Sequence, residues 1–462
     1  MAVGVIEKIR KVVLFVTINI PAGANQIIKQ LQKAGFKAYV VGGCVRDSLL
    51  GKEPHDWDIC TNALPAEVEQ CFSDHRIIET GIKHGTVTVL CDDEAYEVTT
   101  YRTDGEYTDH RRPDHVEFVS SLQADLARRD FTINAMAYNK EKGLVDMFGG
   151  LSDLNAGIIR CVGNPDDRFQ EDALRILRAI RFASTYGFAV DEHTSASIHK
   201  NANLLAYVAR ERILVEICKT LAGKGSAEML MAYKDVFSLI IPELKPCIGF
   251  DQNNAYHSFD VYDHIAHAVG SYAGTDNAVN LALLLHDIGK PLCYTENETG
   301  GHFPEHSKIS CDLAKPVLDS LKVDNQTRHD VLELVLFHDA EIKATPKTVR
   351  RWLNRIGETQ FYRLLDVRRA DIAAHSEKNK QKHLDECDAV EAVLEEVLKE
   401  KQCFTMKDLH INGNDIMDLG LTQGKEVGMI LNWLLDEVIE GRLENRHHDL
   451  KMAAEHKIYG IE

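Results

Sequence analysis

The alternation of apolar and polar positions changes character part-way along the chain. Up to about Asp146, short β-branched runs alternate with turn residues, as in GTVTVLC (85–91) and YEVTTYR (96–102). This pattern is typical of strands, and HVEFVSS (115–121) and GLVDMF (143–148) continue it. Helices are predicted between these strands, so the first part of the chain is predicted to be a mixed α/β unit.

From Leu154 onward the pattern is helical almost throughout. The stretch from Asp172 to Phe182 sets apolar residues against arginines, which predicts one amphipathic helix. Further helices are predicted at 208–223, 281–290, 331–339 and 431–441. Strands first and helices afterwards predict an α+β fold, in which an α/β head precedes an all-α neck, body and tail.

The same patterns divide the 462 residues into segments. Residues 1–20 mix charges with a short apolar run and are interpreted as a leader of unassigned role. The predicted domains that follow are a head (21–155), a helical neck (156–225), a helical body (226–380) and a C-terminal helical tail (381–462). No apolar run reaches the roughly 18 residues of a membrane span, so no membrane association is predicted.

Charge and cysteine usage narrow the class of protein. A net charge of −18 argues against a protein that coats nucleic acid. However, 12 of the 24 arginines lie within residues 102–219. Because guanidinium groups bind phosphates and base edges, this clustering predicts a local phosphate-binding groove, with pairing to neighbouring acids as the alternative. The 11 scattered cysteines form no C-x-x-C pair, which predicts reduced thiols in the cytoplasm.

The stretch VGGCVRDSLLGKEPHDWD (41–58) carries the clearest candidate chemistry. It follows an apolar strand and contains paired glycines, an arginine in a short helix and two carboxylates one residue apart: Gly42, Gly43, Arg46, Asp56 and Asp58. Alternate strand residues point to one face, so both carboxylates can bind cations, and such hard oxygen ligands suit Mg²⁺. Glycines let a triphosphate approach the backbone closely. The stretch predicts two-metal phosphoryl or nucleotidyl transfer.

The order and spacing of these residues resemble the head signature of class II nucleotidyltransferases, the family of CCA-adding enzymes and bacterial poly(A) polymerases. The resemblance implies that Asp56 and Asp58 are catalytic and bind Mg²⁺. A two-metal site needs a third carboxylate, and Glu97 in YEVTTYR is the candidate, because the family's third acidic residue lies on this strand. A solvated residue on an edge strand is the alternative interpretation of Glu97.

Two further head segments resemble nucleotide-binding parts of the family. Residues 102–118, rich in turn formers and charge, resemble its flexible loop. ARRDFTINAMAY (127–138) resembles its ribose- and triphosphate-binding motif. The resemblance implies that Arg128 and Arg129 hold phosphates and that Asp130 accepts hydrogen bonds from ribose hydroxyls. A surface helix start with paired charges is the alternative.

Base selection is predicted in EDALRILR (171–178), where Asp172 and Arg175 are expected to share a face of one helix. An acceptor beside a donor complements the Watson–Crick edges of cytosine and adenine, whereas guanine and uracil would leave the carboxylate unpaired. The family's E-D-x-x-R motif selects bases in this way, so the resemblance implies use of CTP and ATP without a template. It also assigns Asn134 and Arg178 to nucleotide binding. An ordinary surface ion pair is the alternative.

The end of the neck and the tail resemble RNA-binding parts of the same family. VARERILVEICKTL (208–221) resembles its last neck motif, which implies that Arg210 and Arg212 contact primer phosphates; stabilising the neck is the alternative. The tail (381–462) resembles that of CCA-adding enzymes, and the implied partner is tRNA.

A second set of chemistry-bearing residues lies in the body: His264, His286, Asp287, His306, His338 and Asp371. Each is on or beside a predicted helix, and imidazoles and carboxylates from several helices of a bundle can converge on a metal. The LLLHDIGK stretch with these partners resembles the HD superfamily of metal-dependent phosphohydrolases. The resemblance implies an HD-type domain at 226–380 with Mn²⁺, Ni²⁺ or Co²⁺ at one or two metal positions. A degenerate HD fold retained as scaffold is the alternative.

Taken together, these features predict addition of CCA to the tRNA 3′ end from CTP and ATP. A-only addition and poly(A) synthesis are the alternatives within the family, although GIKHGTVTV (81–89) favours the tRNA type. An HD phosphohydrolase whose head only binds RNA is the alternative from another class. The sequence predicts no particular oligomeric state.

Overall fold

A computed structural model describes residues 17–79, 81–92, 94–105, 116–254, 258–298, 300–400 and 402–460. Residues 1–16 of the predicted leader and 106–115 of the predicted flexible loop lie outside the described residues. The chain divides into a first unit that ends at Pro242 and a second that begins at Glu243. Within the described ranges, no helix combines the length and apolar character that a membrane crossing requires.

The described part of the first unit contains a seven-stranded mixed sheet. Across the sheet, the strands are ordered Ile77–Ile78, Thr86–Cys91, Glu94–Thr100, Ile59–Thr61, Ala38–Val41, Met136–Asn139 and Gly143–Asp146. Neighbours are antiparallel except Ile59–Thr61 and Glu94–Thr100, which run parallel with Ile59 opposite Val98. The predicted α/β head is confirmed, although the sequence analysis did not identify Met136–Asn139 as a strand.

Two predicted strand segments differ from the observed strands. The chain leaves the main sheet at the fully buried Tyr101, and Arg102–Asp104 then pairs antiparallel with Val116–Phe118 in a separate small sheet. The segment predicted at 115–121 is therefore a strand, but it lies outside the main sheet. Farther along, Ile158–Ile159 pairs parallel with Ala189–Val190 within the otherwise helical neck.

Helices surround and follow the sheet of the first unit. Those of the head are Ala22–Lys33, Gly43–Leu49, Pro65–Cys71 and Leu122–Ala127. Those that follow are Gly150–Ala156, Pro165–Glu171, Leu174–Tyr186, Glu192–Asn201, Arg210–Leu221, Ser226–Ala232 and Lys234–Ile240. We refer to Gly43–Leu49 as the glycine-turn helix and to Leu174–Tyr186 as the neck helix. The neck helix packs against Arg210–Leu221, where the buried Ser184 hydroxyl donates to the carbonyl of Thr220 at 2.6 Å.

The prediction of one continuous helix through Asp172 is wrong. One helix ends at Glu171, Asp172 has an extended backbone with φ −134° and ψ 103°, and the neck helix begins at Leu174. The Asp172 carboxylate accepts a hydrogen bond from the backbone N–H of Leu174 at 3.1 Å. Aspartate competes well for free N–H groups at helix starts, which explains the interruption in an otherwise helical pattern.

The second unit is mainly helical. Its helices are Val261–Ser271, Asn277–Leu285, Lys290–Cys293, His306–Ser320, Asn325–Phe337, Pro346–Ile356, Glu358–Ala373, Lys380–Lys399, Gly413–Met417, Lys425–Ile439 and His447–Tyr459. A short hairpin pairs Thr295–Asn297 with Gly300–His302. Asn277–Leu285 (NAVNLALLL) is buried over most of its length, so it forms the centre of the body. Together with the head, these helices confirm the predicted α+β class.

Candidate active site and metal centre

The three predicted catalytic carboxylates lie on, or just before, two adjacent strands in the middle of the sheet. Asp56 and Asp58 immediately precede Ile59–Thr61, and Glu97 lies within the neighbouring strand Glu94–Thr100. The parallel register that pairs Ile59 with Val98 brings Asp58 alongside Glu97. All three side chains are exposed, and Glu97 alternates with buried neighbours, so it points away from the core. The fold therefore gathers three negative charges at one edge of the central strand pair.

The electrostatics of Asp58 reflect this gathering. Asp58 is exposed, but neighbouring groups displace part of the water around its carboxylate. This desolvation, together with the negative charges of Glu97 and Asp56, raises the pKa of Asp58. The guanidinium of Arg129 opposes that shift. The repulsion from Glu97 and Asp56, which adds to the larger effect of desolvation, indicates a place where a cation is favourable. Oxygen-only donors fit Mg²⁺, which matches the predicted ion.

Gly42 lets Arg129 approach this site. Gly42 has φ +81°, a conformation that other residues rarely adopt, and its N–H donates to the carbonyl of Met136. A Cβ at this position would lie 2.9 Å from Nη1 of Arg129. Any larger residue would therefore strain the turn and displace the cation that faces Asp58.

A buried carboxylate, Asp125, orients the two predicted phosphate-binding arginines. Its Oδ1 accepts from Nε and Nη2 of Arg128 at 3.0 and 2.9 Å, and its Oδ2 lies 3.6 Å from Nη2 of Arg129. Asp125 is fully buried, so its charge is balanced by these two side chains. Sequence analysis missed Asp125, although its spacing of three and four residues from the arginines was an available signal.

Asp130 is buried and engaged by protein groups. Its Oδ2 accepts from Nε and Nη2 of Arg178 at 2.9 and 2.6 Å, and its Oδ1 accepts from Asn134 at 3.1 Å. Burial alone would raise the pKa of Asp130, but Arg178 and Asn134 outweigh it and hold that pKa well below its usual range. Asp130 therefore stays ionised and joins the head to the neck helix.

Arg46 also connects elements of the first unit. It is only 7% exposed, and its Nη1 donates to Asn134 Oδ1 at 2.5 Å. Its Nε and Nη2 donate to the two oxygens of Asp47 at 2.9 and 2.8 Å. Its guanidinium lies 5.0 and 5.2 Å from the ring centroids of Phe182 and Tyr186. Arg46 therefore ties the glycine-turn helix to the aromatic face of the neck helix. Gly43 is the first residue of the glycine-turn helix, and a Cβ there would lie 3.6 Å from Nη2 of Arg46.

The predicted base-selecting residues lie near each other but have different partners. Nη1 of Arg175 donates to Glu171 at 2.6 Å, and its Nη2 donates to the carbonyl of Arg128 at 3.0 Å. Asp172 Oδ2 accepts from Nη2 of Arg212 at 3.3 Å. Arg210 is the first residue of the same helix as Arg212. The two candidate RNA-binding arginines thus lie on the helix that contacts Asp172.

In the second unit, all six predicted HD-type residues come together. Among the described residues, two groups have ligand atoms within 4.8 Å of one another, and they share one carboxylate. The first group is His264, His286, Asp287 and Asp371, and the second is Asp287, His306 and His338. They come from separate helices or from residues directly after helices, as expected for a site inside a bundle.

The donor atoms of this centre face one another closely. His264 Nε2 lies 3.3 Å from Asp287 Oδ2 and 2.9 Å from Asp371 Oδ1. On the other side of the shared carboxylate, Nε2 of His306 and of His338 lie 3.5 and 3.7 Å from Asp287 Oδ1. Asp287 therefore uses a different oxygen toward each group, an arrangement that suits a carboxylate bridging two cations.

Backbone contacts hold three of the imidazoles. Nδ1 of His286, His306 and His338 lies 2.7, 3.0 and 2.7 Å from the carbonyl oxygens of Leu283, Phe303 and Val335. Since a carbonyl only accepts, each Nδ1 carries the proton and each Nε2 is directed at the carboxylates. Metal-binding histidines are usually oriented by such second contacts.

The charges of the centre are strongly coupled. Burial alone would lower the pKa of His286, but Asp287 and Asp371 outweigh it and raise that pKa to about 10. Burial would likewise raise the pKa of Asp287, yet His286 and Lys290 hold it well below its usual range. A cation bound here would replace the imidazole proton, since metal ligands must be deprotonated. Buried imidazole and carboxylate donors fit the predicted Mn²⁺, Ni²⁺ or Co²⁺.

A cavity of about 640 Å³ opens onto this centre. Besides ligand candidates, its lining includes Lys290, Lys378, His375 and His383. Lys290 Nζ lies 2.7 Å from Asp287 Oδ2 and donates to Gln252 at 2.9 Å. His375 Nε2 lies 3.4 Å from Asp371. Sequence analysis did not assign Lys290 or His375, although both lie within four residues of a predicted ligand.

Matches to known families agree with this geometry. Residues 38–160 match the family described as "Poly A polymerase head domain". Residues 187–248 match "Probable RNA and SrmB- binding site of polymerase A", and residues 306–454 match "tRNA nucleotidyltransferase domain 2 putative". A poly(A) polymerase-type head whose sheet carries grouped carboxylates beside a glycine turn defines the chain as a nucleotidyltransferase.

Individual relatives define the family more closely. The CCA-adding enzyme of Bacillus velezensis is 37% identical over 429 residues, covering 93% of this chain and 96% of the relative. The Bacillus stearothermophilus CCA-adding enzyme in complex with CTP has a TM-score of 0.69 at 28% identity and covers 95% of this chain and 97% of that one. The Thermotoga maritima CCA-adding enzyme complexed with tRNA_CCA shares the fold, with a TM-score of 0.60 at 20% identity, covering 95% and 94%. This chain belongs to the family of CCA-adding enzymes.

Proposed function

We propose that the chain adds C, C and A in turn to the 3′ end of tRNA, using CTP and ATP and releasing pyrophosphate. The observation that carries the proposal is the parallel pairing of Ile59 with Val98, which brings Asp58 alongside Glu97, beside a glycine turn that admits Arg129. Membership of the CCA-adding family supports the reaction, and the CTP and tRNA complexes of two relatives support the partners.

Asp56, Asp58 and Glu97 would hold two divalent ions, for which Mg²⁺ is the best match to carboxylate ligands. Such ions would make the primer 3′-hydroxyl a better nucleophile and offset the charge of the leaving pyrophosphate. Arg129, which already faces Asp58, would bind the triphosphate from the opposite side. Arg128 would assist it, because Asp125 orients both guanidiniums. Asp130 and Asn134 would support this arrangement through their links to Arg178 and Arg46.

Base selection is assigned to Asp172 and Arg175 in the neck (156–225), although they do not share one helix. The Asp172 carboxylate would accept from the exocyclic amine of cytosine or adenine, and Arg175 would donate to the ring nitrogen. Arg212 supports this role, because its contact with Asp172 orients the carboxylate. Arg210 and Arg212 would contact primer phosphates next to the selected nucleotide, and the tail (381–462) would bind the rest of tRNA.

The decisive experiment is nucleotide addition to defined tRNAs. Parent protein is incubated with Mg²⁺ and either tRNA lacking CCA or tRNA ending in CC, and incorporation of CTP and ATP is measured for each. We expect two C residues and one A on the first substrate and one A on the second. Addition of A to CC-ending tRNA without any C addition to tRNA lacking CCA would indicate an A-only enzyme, and long A tails would indicate a poly(A) polymerase.

Replacing Asp172 with alanine should relax base choice more than it weakens nucleotide binding. The triphosphate contacts lie at Arg128 and Arg129, whereas the carboxylate alone penalises guanine and uracil, by roughly 1–3 kcal/mol or about 5- to 150-fold. The measurement is kcat/KM for CTP, ATP, UTP and GTP in single additions. A variant that still rejects UTP and GTP as strictly as the parent would assign selection to other residues.

A second activity is supported by the HD-type centre in residues 226–380. We propose that it is a metal-dependent phosphohydrolase site acting on 2′,3′-cyclic or 2′-phosphorylated nucleotides. The supporting observation is the sharing of Asp287 between two buried donor groups whose histidines are oriented by backbone carbonyls. A transition metal bound there would supply hydroxide near neutral pH. Lys290 and Lys378, in the adjoining cavity, provide positive charge for a phosphate ester.

A further inference from the structure

The neck helix contacts the glycine-turn helix along one face. Arg178, Phe182 and Tyr186 are spaced four residues apart, so they lie on the same side of the helix. The rings of Phe182 and Tyr186 are stacked, with centroids 6.2 Å apart and planes at 9°. Arg46 of the glycine-turn helix lies against both rings. This face is therefore the contact between the predicted base-selecting region and the predicted triphosphate site.

Two polar connections attach this face to the head. The first runs from Arg178 through Asp130 and Asn134 to Arg46. The second is direct, because the hydroxyl of Tyr186 donates to Asp47 Oδ1 at 2.9 Å. Eight residues separate Arg178 from Tyr186, so the two connections are about 12 Å apart along the helix axis. Two separated attachments fix the direction of a helix, whereas one would let it pivot.

The hydroxyl of Tyr186 is not required to neutralise Asp47. Both carboxylate oxygens of Asp47 already accept from Arg46, at 2.9 and 2.8 Å. The Tyr186 ring is also held independently, since Nζ of Lys52 lies 4.6 Å from its centroid and Arg46 lies on it as well. The hydrogen bond therefore adds a directional restraint at the end of the neck helix farthest from Arg175.

We propose that Tyr186, through its hydrogen bond to Asp47, is a positioning residue that sets the neck helix at the angle required for base selection. The proposal rests on base selection by Arg175, near the other end of the same helix, and by Asp172, two residues before that helix begins. Reading a base edge demands hydrogen-bond geometry, and a displacement of about 1 Å can cost about 100-fold in rate. The proposed triphosphate contacts belong to the head, so a small movement of the neck helix should disturb them less than it disturbs base selection.

The test is Tyr186→Phe, which removes the hydroxyl and keeps the ring contacts. We expect the ratio of kcat/KM for ATP to that for UTP or GTP, on tRNA ending in CC, to fall about tenfold, which corresponds to about 1.4 kcal/mol. The KM for tRNA and the melting temperature should stay close to those of the parent. If Tyr186 had a merely structural role, the substitution would lower kcat/KM for every nucleotide in the same proportion and leave the ratio unchanged.

Tyr233→Phe is the matched control. Tyr233 is a buried tyrosine of the same unit, and its hydroxyl hydrogen-bonds Ser195 Oγ at 3.0 Å, away from the glycine-turn helix. Its loss should not change the ratio. The double variant Tyr186→Phe with Asp47→Ala should lose no more selectivity than Asp47→Ala alone, because Asp47→Ala already removes the acceptor of the Tyr186 hydrogen bond. Additive losses would contradict the pairing with Asp47.

The outcomes separate this proposal from the proposed function. If the parent adds CTP and ATP and Asp172→Ala relaxes selection, while Tyr186→Phe discriminates as the parent does, the positioning role is overturned and base selection stands. If the parent does not add these nucleotides to tRNA, the proposed function itself fails. A lowered ratio in Tyr186→Phe with an unchanged ratio in Tyr233→Phe supports the positioning role.

Discussion

Replacing Asp58 with alanine should abolish nucleotide addition while leaving tRNA binding largely intact. The pairing of Ile59 with Val98 brings Asp58 alongside Glu97, and desolvation together with the charges of Glu97 and Asp56 raises the pKa of Asp58. Its removal would therefore dismantle the proposed cation site. We expect a loss of more than about 1,000-fold in turnover, equivalent to about 4 kcal/mol in the barrier. Asp56→Ala should cause a similar loss of turnover. The measurements are single-turnover addition to CC-ending tRNA and tRNA binding by gel shift.

Glu53→Ala is the matched control for this experiment. Glu53 is an exposed carboxylate in the same loop, three residues before Asp56, and it precedes the segment that lies in register with Glu97. Its removal should leave turnover within about twofold, a barrier change of about 0.4 kcal/mol. Turnover of Asp58→Ala within about tenfold of the parent, or about 1.4 kcal/mol, would contradict the two-metal assignment.

Replacing Asp287 with asparagine should remove the proposed hydrolysis and spare CCA addition. Asp287 is the one residue common to both donor groups among the described residues, so a single change affects every ligand set of the centre. We expect a loss of more than about 100-fold in Mn²⁺-, Ni²⁺- or Co²⁺-dependent hydrolysis of 2′,3′-cyclic nucleotides. Addition in Mg²⁺ should persist, because the head ligands are carboxylates alone.

Asp312→Asn controls for loss of a negative charge in the body. Asp312 lies exposed on the helix that begins at His306 and forms a surface pair with Lys315 at 2.7 Å. It should retain hydrolysis and metal content. Melting curves for both variants show whether the change at buried Asp287 acts through unfolding. If purified parent binds no transition metal and hydrolyses nothing with any of these ions, the HD region is scaffold.

Local signatures were predictable from the sequence, and long-range partners were not. The glycines and carboxylates of residues 41–58 are contiguous, so their order alone indicated the head. The six HD-type residues lie in or directly after helical segments that the sequence pattern shows, and the fold brings all six together. By contrast, the hydrogen bond from Tyr186 to Asp47 joins residues 139 positions apart, and no local pattern predicts it.

The interruption at Asp172 shows why helical periodicity can mislead. The apolar spacing continues through residues 172–182, but periodicity reports only which face is buried. Whether the backbone is helical at one residue depends on which groups compete for its N–H donors, and here the Asp172 carboxylate accepts from Leu174. A polar residue at the boundary between two helical patterns is therefore a candidate helix cap.

The parallel strand pair that aligns Asp58 with Glu97 also determines the order in which this site is assembled. In the described sheet it is the one parallel neighbour pair, and a parallel pair requires a long crossover. That crossover runs from Thr61 to Glu94 and includes the helix Pro65–Cys71 and two antiparallel strands. During synthesis, Asp56 and Asp58 leave the ribosome well before Glu97, and contacts between distant segments form slowly. The three carboxylates come together only where Glu94–Thr100 pairs with Ile59–Thr61, so a partly folded head that lacks this pairing has no complete carboxylate cluster.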